Sequence, residues 1–205
     1  MKIVACRVYE LGSSILASGF PMTTDPAYIA EWECSAEAID VIIRLGIGMY
    51  PYESHFKRAI KLAQNADGSG HKNFMLGIRV AANVTATNAW WMQFERYHFA
   101  DIVSSQSKMH RLRKLLDNES DAFHTKVSLA EVARLKELMA SGADDETLVY
   151  NCPIGLELTA RITTNYLQLR TIYKQRRNHK LAEWREFCAW IETLPLADKL
   201  ITYDK

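Results

Sequence analysis

The run Lys2 to Tyr9 (KIVACRVY) sets Val, Cys and Tyr in a β-prone order and predicts a strand, which LGSS then ends with its Gly and Ser. Beyond it the apolar period lengthens. In SAEAIDVIIRLGIG, Ser35 is placed to cap a short helix that Gly46 and Gly48 stop. Tyr52 to Asn65 carries Phe56, Ile60 and Ala63 at helical spacing, and NADGSG (65–70) reads as a turn. FMLGIRVAANV (74–84) has the apolar, β-branched character of a buried strand. TNAWWMQFERYHF follows as a helix, which makes Gln93, Arg96 and Tyr97 surface neighbours with Trp90 one turn before Gln93.

Farther on, SLAE (Ser128 to Glu131) is a capping box, and Val132, Leu135, Leu138 and Met139 carry an apolar stripe to a stop at Gly142. DDETLVYNCP leads to Pro153, and from about Leu156 the chain reads as mostly helical, broken near NHK (178–180). Within TARITTNYLQLRTIYKQRRNHK, the residues Asn165, Leu169, Ile172 and Arg176 form one stripe about 16 Å long at ~1.5 Å per residue. No internal repeat or low-complexity linker interrupts the pattern. Strand and helix signals alternate in the first half and helices dominate the second. The expectation is one α/β (α+β) domain over 1–205, a small sheet flanked by helices, with too few elements for a doubly wound sheet.

Composition narrows the function more than the fold. A hydrophobic share of 48% and a charged share of 24% are ordinary for a globular chain. With 25 Lys and Arg against 24 Asp and Glu, the net charge of +1 gives no bulk footprint for nucleic acid or a membrane surface, so any anion site is local. Cys6, Cys34, Cys152 and Cys188 are scattered, with no CxxC pair, no secretory leader and no apolar run near the ~20 residues of a membrane span; a reduced cytoplasmic protein is expected. There is no HExxH, no GxxxxGK[ST], no GxGxxG after a strand and no GxSxG, so metal hydrolysis, nucleotide loops and hydrolase chemistry lose their usual support, and no metal is expected.

Four constellations remain, each with two readings. Gly70-His71 closes the turn ahead of the 74–84 run, as a solvated histidine or a ligand. WWMQFERYHF (90–99) is either core rings with Arg96 snorkelling outward, or an aromatic wall whose amide and guanidinium receive a planar ring bearing phosphate or carboxylate. SSQSKMHRLRK (104–114) sets hydroxyls before a basic patch, a solvated face or a phosphate receiver. Asn165 and Arg176 stand at the two ends of one stripe, on a surface helix or against two parts of a large ligand.

Taken in order, these pieces resemble the flavin-dependent thymidylate synthase family, in a divergent form of the kind found in phages. The family carries a GH-containing turn before a strand, then a helix with a Gln shortly before an RHRxxS segment, then a Ser followed by Arg-Tyr. Here Gly70-His71 leads to Gln93 and Arg96 with the family's 25-residue step from His71 to Arg96. The family's later proline, asparagine and arginine match Pro153, Asn165 12 residues on and Arg176 a further 11 on, before LAEWREF (181–187). The likeness covers about residues 68–190; ahead of it only the order of strand and helix agrees. Where the family reads RHR, this chain has Arg96-Tyr97-His98, and Ser-x-Arg-Tyr becomes Ser107-Lys108-Met109-His110 after a one-residue insertion. A further phosphate-contacting arginine before the proline has no counterpart in TLVYNCP.

The resemblance implies a homotetramer with shared active sites that hold FAD, NADPH as reductant, and transfer of one carbon from methylenetetrahydrofolate to C5 of dUMP, giving dTMP. It implies FAD contacts at His71, Arg96, His98 and Asn165. Gln93, Ser107 and Arg176 correspond to nucleotide contacts, Arg176 and Ser107 being the catalytic candidates, and phosphate binding is to be rebuilt by His110, Arg111 or Arg113. Related alternatives are transfer of a hydroxymethyl group, action on dCMP, or a non-catalytic relative. From another class stands a helical nucleic-acid-binding module using RLRK (111–114) and KQRRNHK (174–180).

Overall fold

The computed structural model describes residues 1–30, 32–117 and 127–203. The chain opens with β1 (Lys2–Tyr9), α1 (Leu11–Ala17), a 3-10 turn (Phe20–Met22), α2 (Pro26–Ala30), α3 (Trp32–Leu45) and α4 (Glu53–Ala63). Next come α5 (Phe74–Gly77), β2 (Arg79–Thr87), α6 (Asn88–Phe94), β3 (Asp101–Ser105), α7 (Lys108–Asp117), α8 (Leu129–Ala140) and α9 (Asp145–Tyr150). The last part is β4 (Glu157–Asn165), α10 (Tyr166–Arg176), α11 (Ala182–Glu192) and α12 (Ala197–Leu200). The strands form one antiparallel sheet in the order β1-β2-β4-β3, so β1 and β3 are its edges. A small sheet with a helix-rich second half is the mixed class that the sequence predicts.

The chain divides into two compact units, Met1–Val4 with Ala82–Ile162, and Ala5–Ala81 with Thr163–Lys205. The boundaries fall inside β1, β2 and β4. In the unit that holds α10, α1 lies directly on α3. Gly12 donates its backbone N–H to Asp40 Oδ1 at 2.7 Å, and a Cβ there would lie 2.2 Å from the Ala36 carbonyl oxygen. The LGSS segment therefore does not merely end β1. Its glycine lets two helices touch, and Glu10, at φ 60, turns the chain into α1.

In the other unit, β2, β4 and β3 are stitched by side chains as well as backbone: Thr85 and Thr159 hydroxyls meet at 2.8 Å, and Gln106 Oε1 accepts from Thr159 N at 3.0 Å. The capping box at the start of α8 is present, Ser128 accepting from Glu131 N at 3.3 Å. Gly142, at φ 90, follows the end of α8 as its sequence position predicts.

Several element assignments are corrected. Ser35 lies inside α3, which begins at Trp32. FMLG is one short helical turn, and the strand starts only at Arg79. The helix through WWMQF stops at Phe94, so Arg96, Tyr97 and His98 lie in the turns that follow it. The largest difference is β4. ELTARITTN alternates buried and half-buried residues at period two, and its β-branched Thr and Ile residues fit a pleated surface better than a helix. The supposed 165–176 stripe is accordingly a cap followed by core: Asn165 closes β4, while Leu169 and Ile172 are fully buried.

Candidate functional site

The turn NADGSG and the outer face of α10 enclose a cavity of about 440 Å³ lined by Asp67 to Gly70, Lys72, Asn73, Leu167, Arg170, Thr171 and Lys174. Arg170 and Lys174 sit at i and i+4, where two like charges repel unless an anion stands between them. That anion is Asp67. Its carboxylate accepts from Lys174 Nζ at 2.7 Å, from Lys72 Nζ, and lies 3.6 Å from Arg170 Nε. The hydrogen bonds from Lys174 and Lys72 hold the Asp67 carboxyl well below the usual carboxylate range, against a smaller opposing effect of burial. Arg170 is fixed from behind as well: Nη1 donates to the Ile201 carbonyl at 2.9 Å and the guanidinium lies 4.1 Å from the centre of the Tyr203 ring. Of these charged residues only Lys174 falls in a basic stretch the sequence singles out, KQRRNHK (174–180) of the alternative nucleic-acid module; Asp67, Lys72 and Arg170 are not among the candidates. The available signal was the 170/174 cation pair together with the Asp67 and Lys72 that flank the glycine turn.

The predicted residues of this unit lie near that cavity in sequence but serve different local ends. His71 is exposed on the turn and does not line the cavity. Asn165 is buried, and its Oδ1 accepts from Gln168 N at 2.9 Å as the N-cap of α10, satisfying one of the backbone donors that every helix start leaves over. Arg176, half-buried at the other end of α10, rests its guanidinium 4.7 Å above the fully buried Trp184 ring, a cation–π contact. A larger cavity of about 930 Å³, lined by β1, α3 and the Trp190–Leu196 segment, contains none of the predicted residues.

In the other unit the aromatic run resolves into two parts. Trp90, Trp91 and Phe94 are buried, Trp90 stacking on Phe94 at 4.8 Å and meeting Trp91 edge-on at 4.8 Å, while Trp91 Nε1 donates to the Leu158 carbonyl at 3.0 Å. The rings are core. Gln93 is half-buried on the last turn of α6, whereas Arg96, His98, Ser107 and His110 are exposed. Of the groups proposed to rebuild phosphate binding, Arg113 is already engaged, with Nε 3.0 Å from Asp145 Oδ1 and Nη2 donating to the Ala143 carbonyl at 2.9 Å. Arg111 is half-buried with its Nη1 shut off from solvent. His110 is the exposed one of the three.

The cysteines are free thiols. Burial pushes the Cys188 thiol up to about 12 and raises that of Cys152, so neither is a thiolate nucleophile at neutral pH. Among the described residues no group of three or more His, Cys, Asp or Glu could hold a metal ion, and no helix is long and apolar enough to cross a membrane.

A small four-stranded antiparallel sheet in a chain rich in helices, with a cationic cavity beside α10, defines the class of fold. Among solved structures, that fold is the one of flavin-dependent thymidylate synthase. The chain is similar to the Helicobacter pylori enzyme ThyX complexed with FAD and dUMP, with a TM-score of 0.67 and 14% identity over 98% of both chains. A second structure of the same enzyme with FAD and dUMP agrees at a TM-score of 0.64 and 14% identity, over 98% of this chain and 97% of that one. No protein-family model and no curated protein matches the sequence.

Proposed function

We propose that the chain, as one functional domain over 1–205, is a divergent member of the flavin-dependent thymidylate synthase family. In this reading it transfers a one-carbon unit from methylenetetrahydrofolate to C5 of dUMP and yields dTMP, as a cytoplasmic homotetramer with shared active sites. What carries the proposal is agreement of fold along 98% of the chain with structures that hold FAD and dUMP. The order Gly70-His71, Gln93, Arg96, Pro153, Asn165, Arg176 supports it independently of fold.

The residues present suit such a cofactor. FAD bears a diphosphate, and the cavity beside α10 concentrates three cations around one carboxylate. With NADPH as its reductant, bound FAD supplies the hydride that completes the methyl group. The protein's part is to bind and orient. Asn165 spends its oxygen on the helix cap and keeps its NH2 as the donor for FAD, with His71, Arg96 and His98 as further FAD contacts. Gln93 offers both a donor and an acceptor to the edge of a pyrimidine. Arg176 is held in place by Trp184, which suits it to meet negative charge developing on the pyrimidine. Ser107 contacts the nucleotide at its reacting end, and His110 takes its phosphate. The test is product analysis: the protein with FAD, NADPH, methylenetetrahydrofolate and dUMP is expected to form dTMP. Formation of a hydroxymethyl product, turnover of dCMP in place of dUMP, or no product at all contradicts it.

A further inference from the structure

We propose that His55 is a proton-operated latch at the end of α1. Neutral, it accepts a hydrogen bond from Arg58 and keeps that guanidinium on the α1 carbonyls; protonated, it repels Arg58 and loosens the connection from α1 to α2. The inference is independent of the reading above.

Arg58 is the pin of this junction. From α4 its Nε donates to Ser18 Oγ at 3.2 Å, and its Nη2 reaches the Ile15 and Leu16 carbonyls at 3.3 and 3.4 Å and the Tyr28 hydroxyl at 3.1 Å. These carbonyls belong to the last turn of α1, where a helix leaves acceptors without intrahelical partners. Gly19 passes close by: a Cβ there would stand 2.6 Å from the Tyr28 hydroxyl and 2.8 Å from the Arg58 guanidinium carbon. One guanidinium thus joins α1, α2 and α4 where no side chain would fit between them.

His55, one turn before Arg58 on α4, lies against the same group, its Nδ1 3.1 Å from Arg58 Nη2. A guanidinium always donates, so Nδ1 is the acceptor and the ring proton sits on Nε2. Tyr28 does not contest that role. Its hydroxyl hydrogen goes to the Leu16 carbonyl at 2.7 Å, which leaves only its oxygen towards Nδ1, at 3.4 Å.

A proton added to Nδ1 sets donor against donor and cation against cation at that distance. Around the ring stand Tyr28 of α2, Tyr52 at the start of α4 and Arg58, with the carbonyls and Ser18 hydroxyl of the α1 end beyond Arg58. Among the described residues no carboxylate is paired with the ring to relieve the repulsion. Burial, and then the Arg58 charge, hold the His55 pKa below its ordinary value, the direction this geometry requires. A histidine depressed in the folded chain leaves stability intact above the ordinary value of about 6.5 and removes it as pH falls from there towards the folded value.

The experiment is nuclear magnetic resonance of the full chain. Side-chain nitrogen shifts at neutral pH are expected to show the Nε2–H tautomer of His55, and its titration is expected to have a midpoint below ~6.5. Hydrogen exchange of the Ser18 and Gly19 amides, which donate to the Ser14 and Leu16 carbonyls at 3.1 and 2.9 Å, reads the latch itself. Corrected for intrinsic rates, their opening is expected to rise about tenfold from about pH 7 to about pH 5 in wild type, the loss of one hydrogen bond to a charged group. In His55→Asn, whose amide oxygen stands near the place of Nδ1 but takes no proton, the same opening is expected to stay level. An Nδ1–H tautomer, a midpoint at or above the ordinary value, no rise in wild type, or an equal rise in both proteins overturns the proposal. The tautomer and the midpoint decide it even where the variant fails to fold.

Discussion

The surroundings of α10 and the segment after α6 both set arginines and amides among aromatic rings, yet the fold treats them in opposite ways. Around α10 the polar groups are held: Arg170 by a carbonyl and a ring, Arg176 by Trp184, Asn165 by its own helix start. After α6 the rings are buried, and Arg96 and His98 stand exposed on turns beyond the helix end. A ligand meeting the first region finds fixed donors. At the second it must first immobilise side chains, at about 0.5–1.5 kcal/mol each. The same residue types are therefore held by the fold in one place and left exposed in the other.

The largest test of this contrast is on stability. Trp90→Ala empties a fully buried ring site and is expected to cost about 3–5 kcal/mol in denaturant unfolding, whereas Arg96→Ala, a few residues on, is expected to stay within about 0.5 kcal/mol. A large loss at Arg96 would mean that the turn is as rigid as the helix before it.

Asn165 separates holding from binding. Asn165→Ala loses the α10 cap and is expected to cost about 1 kcal/mol and to weaken FAD binding. Asn165→Asp keeps a capping oxygen but lacks the NH2, so the melting temperature is expected near wild type while FAD titration shows the weaker affinity. Equal FAD affinity in both would restrict Asn165 to its cap.

Arg176→Ala removes a cation–π contact of about 0.5–1 kcal/mol. Its effect on folding is expected to be small and its effect on dTMP formation at least about a hundredfold, the scale of losing one preorganised charge donor. The smallest effect concerns Asp67, whose exposed carboxylate contributes weakly. Its pKa is depressed in the folded chain, so its contribution is fully present above the ordinary unfolded value of about 3.9 and is lost as pH falls through the lower, folded one. The stability gap between wild type and Asp67→Asn should be constant at neutral pH and close on acidification. A gap that widens in acid would contradict the assignment of Lys72 and Lys174 as its partners.

Much of this was legible in the residues. β1, the glycine stop after Leu45, the NADGSG turn, the SLAE cap and the helix through LAEWREF all follow from local chemistry, because propensity, period and cap agree there. β4 does not follow from the helical spacing of Asn165, Leu169, Ile172 and Arg176, because the segment before them, LTARITT, runs at the shorter period whose alternate residues enter the core. α1 was missed because Gly12 reads as a breaker when its role is close contact with α3. The candidates His71, Gln93, Arg96, Ser107, Asn165 and Arg176 came from family-like order, which reports a motif's position and not its neighbours. The Asp67 cluster is invisible to such order, since Asp67 and Lys174 are brought together only by folding.

The central claim, a flavin and pyrimidine nucleotide protein, is tested most directly by the absorption spectrum of the purified chain with FAD, followed by titration with dUMP. The account predicts a bound-flavin spectrum whose long-wavelength band shifts saturably as dUMP is added. A protein that takes up no flavin, with or without the nucleotide, would contradict it.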